Sequence, residues 1–367
     1  MQVYAYEYVQ ELVRRGYRVT VYTQRHKEGE IKAGNFEIKP ILQRRRRLDK
    51  VILENSEIDI WHIMNAVYAW LALETAAVVG SVHGNDFLRP YILTERLDIH
   101  RLPVLWRFTG VLENTDRQIG QVLTNRMLRR SLPRLAHILT NSRYTESALL
   151  EKYPSCAGRT TAAMVGVSDF FLDQPLPARP ANEKKRFVTL CRLSEPRKNV
   201  GLVIDALSRL KEHYDFHFTV IGDGPLKPQL RDLARNAKIS ERVTFTGYLS
   251  NESIREYLGL SDLFILTSSI TPESHEGFGI AYLEANACGT PVLAARLAGA
   301  AEAVDENRSG YFVETPTTDT IEQALRAFLE GKITFEQQEC RAFAKGFSWK
   351  RVVDEGIAAY DSVSVRY

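Results

Sequence analysis

The chain has 367 residues, 44% of them hydrophobic and 25% charged, which excludes intrinsic disorder, collagen and coiled coil and suits two globular domains. Its 48 Lys and Arg against 45 Asp and Glu leave a net charge of +3, too near neutral for wholesale nucleic-acid binding. No run reaches the roughly 18 apolar residues of a spanning helix, and Cys156, Cys191, Cys288 and Cys340 are spaced for neither a disulfide framework nor a zinc site, so a soluble cytoplasmic protein with reduced thiols is expected.

Short β-branched runs alternate with amphipathic stretches throughout, the pattern of doubly wound parallel sheets. The first half reads as helix 4–15, strand 17–23, strand 58–63, helix 67–77, strand 78–83, a helix near 117–130, strand 137–140 and helix 142–153. It opens directly in a helix where such a domain ordinarily opens in a strand, so the first strand of the N-terminal domain is expected to be missing. A Pro-rich, charged stretch, 172–185, reads as a linker. Beyond it come strand 186–191, helix 200–210, strand 216–221, a helix starting at Pro225, strand 242–245, helix 252–260, strand 263–267, helix 279–288 and strand 291–294. The expected fold class is α/β, two Rossmann-like doubly wound domains facing across a cleft, with ligands at the carboxyl ends of strands.

Two stretches carry chemistry. In His275-Glu276-Gly277-Phe278-Gly279, two glycines precede a helix and let backbone amides approach an anionic group at its positive end. Glu284 lies farther along that helix. On a continuous helix it would stand about 12 Å from Glu276, beyond the roughly 5–9.5 Å of paired glycosidase carboxylates. That spacing suits gripping two ends of one extended ligand. The bland alternative is a solvated Glu and one serving the helix dipole. In Arg192-Leu193-Ser194-Glu195-Pro196-Arg197-Lys198-Asn199, Arg192 closes a strand and Lys198 precedes a helix capped by Asn199. Two cations beside a helix N-terminus make a diphosphate site that needs no metal. Three cations cannot all converge on one site, and Arg197 is expected to be the solvated one.

These stretches resemble the Arg-x5-Lys loop and Glu-x7-Glu motif of the retaining GT-B glycosyltransferases of family GT4. Further matches are Gly222-Asp223-Gly224-Pro225, Phe245-Thr246-Gly247-Tyr248-Leu249, and Ala298-Gly299-Ala300-Ala301-Glu302, where the family often has Gly-Gly-x-Pro-Glu. The resemblance implies an N-terminal acceptor-binding domain (1–171), a linker (172–185), a C-terminal nucleotide-sugar-binding domain (186–346) and a final helix (347–367) crossing back to the first. It implies that Arg192 and Lys198 bind the donor diphosphate, that Glu284 holds the ribose, and that backbone near Leu249 meets the base. Glu276 and the amides of Gly277, Phe278 and Gly279 would contact the donor sugar. In Val82-His83-Gly84-Asn85-Asp86, His83 would hydrogen-bond the donor sugar or orient the acceptor hydroxyl, unless it merely caps the next helix. Asp86 is an acceptor-side candidate or a turn residue. Catalytic parts fall to Glu276, His83, Lys198 and Arg192. The reaction expected is transfer of a hexose from a nucleoside diphosphate sugar, a UDP-sugar ahead of a GDP-sugar, to a saccharide or lipid-linked acceptor, with retention and no cofactor or metal.

The run Arg44-Arg45-Arg46-Arg47 and Arg101, Arg107, Arg117, Arg126, Arg129, Arg130 and Arg134 interleave with Val104, Leu105, Trp106, Phe108, Val122, Leu123 and Met127. They suggest peripheral contact with the inner face of a membrane, although a solvated helix surface also explains them. His62 is expected to pack at a strand end. An oxidoreductase fails because Lys227 stands where Gly-x-Gly-x-x-Gly needs its third glycine. No P-loop or Gly-x-Ser-x-Gly elbow occurs. The remaining rivals are a GT-B sugar-nucleotide epimerase or phosphorylase and a non-catalytic nucleotide-sugar-binding protein.

Overall fold

The computed structural model describes residues 2–24, 36–43, 45–55, 57–90, 109–179 and 184–364. Arg44, Arg101, Arg107, Val104, Leu105, Trp106 and Phe108 lie outside them, as does the middle of the 172–185 stretch. The chain divides into two compact units, Met1–Met164 with Trp349–Tyr367, and Val165–Ser348.

The first unit opens on α1 (Gln2–Arg14), whose Tyr4, Tyr8, Val9 and Leu12 recur at helical spacing and are all buried. β1 (Thr20–Gln24) and β2 (Glu37–Leu42) pair in parallel as a sheet of their own. After α2 (Arg46–Asp49) comes β3 (Trp61–Ile63). The apolar run that follows is a 3₁₀ segment, Ala66–Leu73, where spacing predicts an α-helix over 67–77. The Asn65 side chain accepts from the Val67 amide and Asp86 from the Ala66 amide, fixing the entry to the run. Six of its eight residues are buried, so no solvent face sets a 3.6-residue period. β4 (Val78–Val82), α3 (Asn85–Leu88), α4 (Thr109–Ser131), β5 (His137–Thr140), α5 (Arg143–Lys152) and β6 (Thr160–Ala162) complete this stretch. β3-β4-β5-β6 form one parallel sheet in that order, and every residue of β4 is buried, as a parallel strand covered on both faces requires. The expected doubly wound sheet is thus two sheets among the described residues. Side chains link them: the Tyr22 and Trp61 rings lie 5.6 Å apart, and Asn55 donates to the Tyr22 hydroxyl.

In the second unit α6 (Asp169–Leu172) leads to β7 (Lys185–Leu190), α7 (Val200–Leu210), β8 (Phe216–Ile221), α8 (Lys227–Asn236), β9 (Val243–Gly247) and α9 (Asn251–Leu260). Then come β10 (Leu263–Leu266), α10 (Ile280–Ala287), β11 (Val292–Ala295), β12 (Gly310–Val313), α11 (Thr318–Leu329) and α12 (Gln337–Lys345). α8 starts two residues beyond Pro225, with Pro228 in its first turn instead. All strands are parallel in the order β9-β8-β7-β10-β11-β12, the doubly wound dinucleotide-fold order. α7 and α11 pack together beside the core built on Phe187, Ile204, Leu207, Phe218, Ile321 and Leu325. The order reverses between β7 and β10, so the loops leaving their carboxyl ends part and open a crevice there.

The last helix, α13 (Trp349–Ser364), belongs to the first unit and packs on α1. Gly356 makes the approach: a Cβ there would fall 1.6 Å from the Tyr8 hydroxyl. Beneath it runs a buried polar chain. The Tyr8 and Tyr360 hydroxyls are 3.1 Å apart, Tyr360 bonds His62 Nδ1, and His62 Nε2 lies 2.8 Å from Ser81 Oγ, which also meets the Tyr4 hydroxyl. His62 therefore packs within the fold, and burial lowers its pKa from 6.5 to about 3.

Gly356→Ala should lower the stability of this unit by about 1–3 kcal/mol, and adding Tyr8→Phe should recover part of the loss. Urea unfolding followed by tryptophan fluorescence reads it, since Trp61, Trp70 and Trp349 belong to this unit. The same signal tests the imidazoles. Neutral when folded but protonated near 6.5 when unfolded, His62 and His83 stabilise fully above pH 6.5, and that contribution is lost as pH falls toward about 3. The urea midpoint should drop through that window, and less steeply in His62→Gln; an equal slope would remove His62 as a cause.

Candidate functional site

The crevice between β7 and β10 is shaped first by backbone. Gly222 (φ +129) and Gly224 (φ +155) follow β8, and a Cβ on them would fall 2.0 Å from the Cys191 carbonyl oxygen and 2.4 Å from Leu193. The loop after β7 is therefore laid onto the loop after β8, stitched by Leu193 N to Asp223 O and Leu226 N to Leu193 O, both 2.9 Å. Asp223, whose pKa the Lys227 hydrogen bond lowers, accepts from that ammonium at 2.8 Å. Gly247 turns the chain at the end of β9, leaving Tyr248 79% exposed and Leu249 half-buried.

The loop after β7 then makes a 3₁₀ turn, Pro196–Lys198. Proline fixes its first residue, and the turn points Arg197 inward and Lys198 toward Glu276. This reverses the expectation for the three cations: Arg197 has a side chain only 6% exposed, whereas that of Arg192 is 68% exposed. Arg192 Nη2 pairs with Glu195 Oε1 at 2.8 Å, and Arg197 Nη2 with Glu195 Oε2 at 2.6 Å. Arg197 Nε donates to Ser274 Oγ at 2.7 Å. Asn199 stands at the start of α7 in the left-handed region (φ +57) without a capping bond; its amide donates instead to Thr267 O and Ser269 Oγ. That ties the β7 loop to the β10 loop.

From the other side of the fork comes Glu276. Its Oε2 accepts from Lys198 Nζ at 2.5 Å and from Ser268 Oγ at 3.1 Å, with Arg197 Nη1 3.7 Å away. Burial pushes this carboxyl up, but the Lys198 and Arg197 charges and the two hydrogen bonds outweigh it, and its pKa is lowered. Burial and the Arg197 charge lower neighbouring His275 to about 4. The Glu276 carbonyl accepts from Gly299 N at 3.0 Å, and a Cβ on Gly299 would strike the Gly277 carbonyl. Phe278 is buried against Phe347, their rings 5.6 Å apart. Gly279 (φ +94) closes the loop, where a Cβ would meet the Tyr282 ring at 2.3 Å. Helix α10 begins only at Ile280, so Glu276 lies off the helix and the straight-helix spacing to Glu284 does not apply; Glu284, half-buried, is its fifth residue.

The structure thus brings Lys198 and Glu276 together and joins Arg192 to them through Glu195 and Arg197. Sequence reasoning missed Glu195, Ser268 and Ser274 and misplaced Arg197. A carboxylate flanked by two arginines with proline between, Arg192-x-x-Glu195-Pro196-Arg197, was the signal available.

His83 and Asp86 belong to the first unit. His83 Nε2 is buried without a hydrogen-bond partner, the ring bonds the Met64 backbone, and burial lowers its pKa to about 3. It is a neutral imidazole with an open nitrogen. Asp86 is different. It is 1% exposed and accepts from the Ala66 and His83 amides, both at 2.9 Å, while burial raises its pKa. It braces the turn, one of the two roles the sequence leaves open for it.

Residues 176–346 match the family described as Glycosyl transferases group 1, and residues 1–167 the one described as Glycosyltransferase Family 4. A GDP-mannose-dependent alpha-(1-6)-phosphatidylinositol monomannoside mannosyltransferase of Mycobacterium tuberculosis is 32% identical over 167 residues, 42% of this chain and 43% of that protein. The chain therefore matches less than half of that relative's length. Sucrose-phosphate synthase from Thermosynechococcus elongatus shares the fold with a TM-score of 0.73 at 16% identity, over 100% of this chain and 94% of that one. A glycosyltransferase from Rickettsia africae does so with a TM-score of 0.67 at 19% identity, over 97% and 93%. The two family matches cover nearly the whole chain, and it belongs to the family 4, group 1 glycosyltransferases of the GT-B fold class.

Proposed function

We propose that the protein is a retaining glycosyltransferase that moves a hexose from a nucleoside diphosphate sugar to a saccharide or lipid-linked acceptor. The observation that carries the reading is the Lys198–Glu276 pair at the fork between β7 and β10, beside the glycine-lined N-terminus of α10. A diphosphate seated there would take Lys198 and Arg192, with the amides of Gly277, Phe278 and Gly279 toward the sugar. Glu284 would hold the ribose and backbone near Leu249 the base. As the anomeric bond breaks, negative charge grows on the departing diphosphate, and fixed cations and helix amides stabilise that change most when it is complete. Glu276, bonded by Ser268 and 3.7 Å from Arg197, is a poor nucleophile even once Lys198 passes to the diphosphate. Departure and attack on the same face, without a glycosyl-enzyme intermediate, follow; a glycosyl adduct trapped on Glu276 would overturn this. The first unit takes the acceptor, with the open nitrogen of His83 accepting from a sugar hydroxyl.

Lys198→Ala should cut kcat by about 10²-fold or more, while Glu284→Ala should raise donor KM about tenfold with kcat nearly kept. Steady-state kinetics with UDP- and GDP-sugars reads both. Thermal shift against the same panel identifies the base, since a donor at 100-fold over Kd stabilises by ~2.7 kcal/mol. Epimerised donor would favour the epimerase rival, and binding without turnover the non-catalytic one.

The acceptor-side unit also offers a surface for anionic lipid. On α4, Ile119, Val122 and Leu123 are 42%, 66% and 47% exposed. Beside them Arg46, Arg126 and Arg130 line a hollow of about 300 Å³ floored by Leu73, Leu123 and Met127. No helix among the described residues is long and apolar enough to cross a membrane, so contact would be peripheral. In co-sedimentation, phosphatidylglycerol vesicles should bind the protein and phosphatidylcholine vesicles should not. Arg126→Gln and Arg130→Gln should each weaken binding about fivefold; unchanged binding would dismiss this face.

A further inference from the structure

The charged groups at the fork alternate in sign: Arg192, Glu195, Arg197, Glu276, Lys198. One of their nitrogens is left over. Arg197 Nη1 is buried and makes no hydrogen bond, and it stands 3.7 Å from a Glu276 oxygen that Lys198 already holds at 2.5 Å. A buried guanidinium nitrogen left unpaired is costly. The rest of the side chain is fixed, by Glu195 and Ser274, so this nitrogen cannot turn to water.

The arrangement makes sense if Lys198 has two partners in turn. Bound to Glu276 when the crevice is empty, its ammonium is the cation nearest a diphosphate seated at the fork. Once it turns to that diphosphate, Glu276 loses its closest counter-charge while remaining buried. We propose that Arg197 is a positioning residue that takes over the Glu276 carboxylate when Lys198 passes to the donor diphosphate, and so keeps Glu276 ionised in the donor complex. The proposal rests on the donor site assigned above.

The groups that face Glu276 are Lys198, Arg197, Cys191 and Glu195 from the β7 loop, and Ser268, His275 and Tyr282 from the β10 loop and α10. After Lys198 leaves, Arg197 is the remaining permanent cation within 4 Å of the carboxylate among the described residues. Without it, a buried carboxylate takes up a proton.

The test counts protons on donor binding. UDP-glucose and GDP-mannose are titrated calorimetrically into the whole chain at pH 6, in two buffers of different ionisation enthalpy. Their diphosphate diesters do not titrate near that pH. For whichever binds, the wild type should take up almost no proton. Arg197→Gln should take up roughly half a proton or more, Arg197→Lys should stay close to wild type, and Glu276→Gln added to Arg197→Gln should abolish the uptake. Should Arg197→Gln alone not fold, Glu195→Gln in the same chain removes the carboxylate it strands, and the same count applies. A purely structural role would lower the melting temperature without changing the proton count, and that result would overturn the proposal. Binding of neither sugar nucleotide would instead overturn the donor site itself.

Discussion

A lysine and a glutamate, each almost out of water, meet at the point where a parallel sheet reverses its winding. The rest of the candidate site depends on that contact. Neither residue is near the other in sequence; they lie 78 positions apart. The strand order joins them, because β7 and β10 are neighbours whose outgoing loops must part to opposite faces. A buried ion pair is weak as a source of stability, since taking two charges out of water costs about as much as their attraction returns. Its presence here is better explained by use than by stability, and the surrounding charges support that view. Glu195 shares Arg192 with solvent and Arg197 with the interior, so each carboxylate in the set lies between two cations.

What keeps these charges in place is mostly backbone without side chains. Gly222 and Gly224 let the β8 loop press on the β7 loop, which leaves the latter only the direction toward β10. Gly299 does the same for the Glu276 loop, through Gly277. Asn199 then bolts the two loops across the fork, donating through its side-chain nitrogen. The side-chain oxygen, which a cap would use as acceptor, makes no capping bond. Its backbone is left-handed, a conformation asparagine tolerates better than most residues.

Much of this was legible in the sequence. Helix Val200–Leu210, strands Phe216–Ile221 and His137–Thr140 sit where periodicity predicts them, because each has one period and clear breakers. The two charged motifs were found for the same reason: glycine and proline mark the loops that carry them. Reading failed where tertiary contacts chose between locally equal options. That three cations could not share one site was correct, but proximity in sequence could not say which was excluded. The turn at Pro196 decides it by facing Arg197 toward Ser274 and Glu195. For Asp86 the sequence leaves an acceptor contact and a turn residue equally open, because nothing local shows that the Ala66 amide lies across from it. The segment Ala66–Leu73 was misread as α-helix because a run buried all round carries no periodic signal.

Three cations and two carboxylates leave the fork one net positive charge, too little by itself to attract a doubly charged diphosphate strongly. The affinity of such a site comes from exchange of partners, and the two exchanges differ in cost. Arg192 sits largely in water, where its pairing with Glu195 is worth about 0–1 kcal/mol, so it can turn to a ligand at little loss. Lys198 cannot, because its partner is buried and would be stranded. A site built from Arg192 and Lys198 alone would therefore work against itself at its inner end. The buried arginine between the two carboxylates removes that conflict by its charge. Its planar guanidinium is already held by Glu195 and Ser274, which keeps the unpaired Nη1 3.7 Å from Glu276.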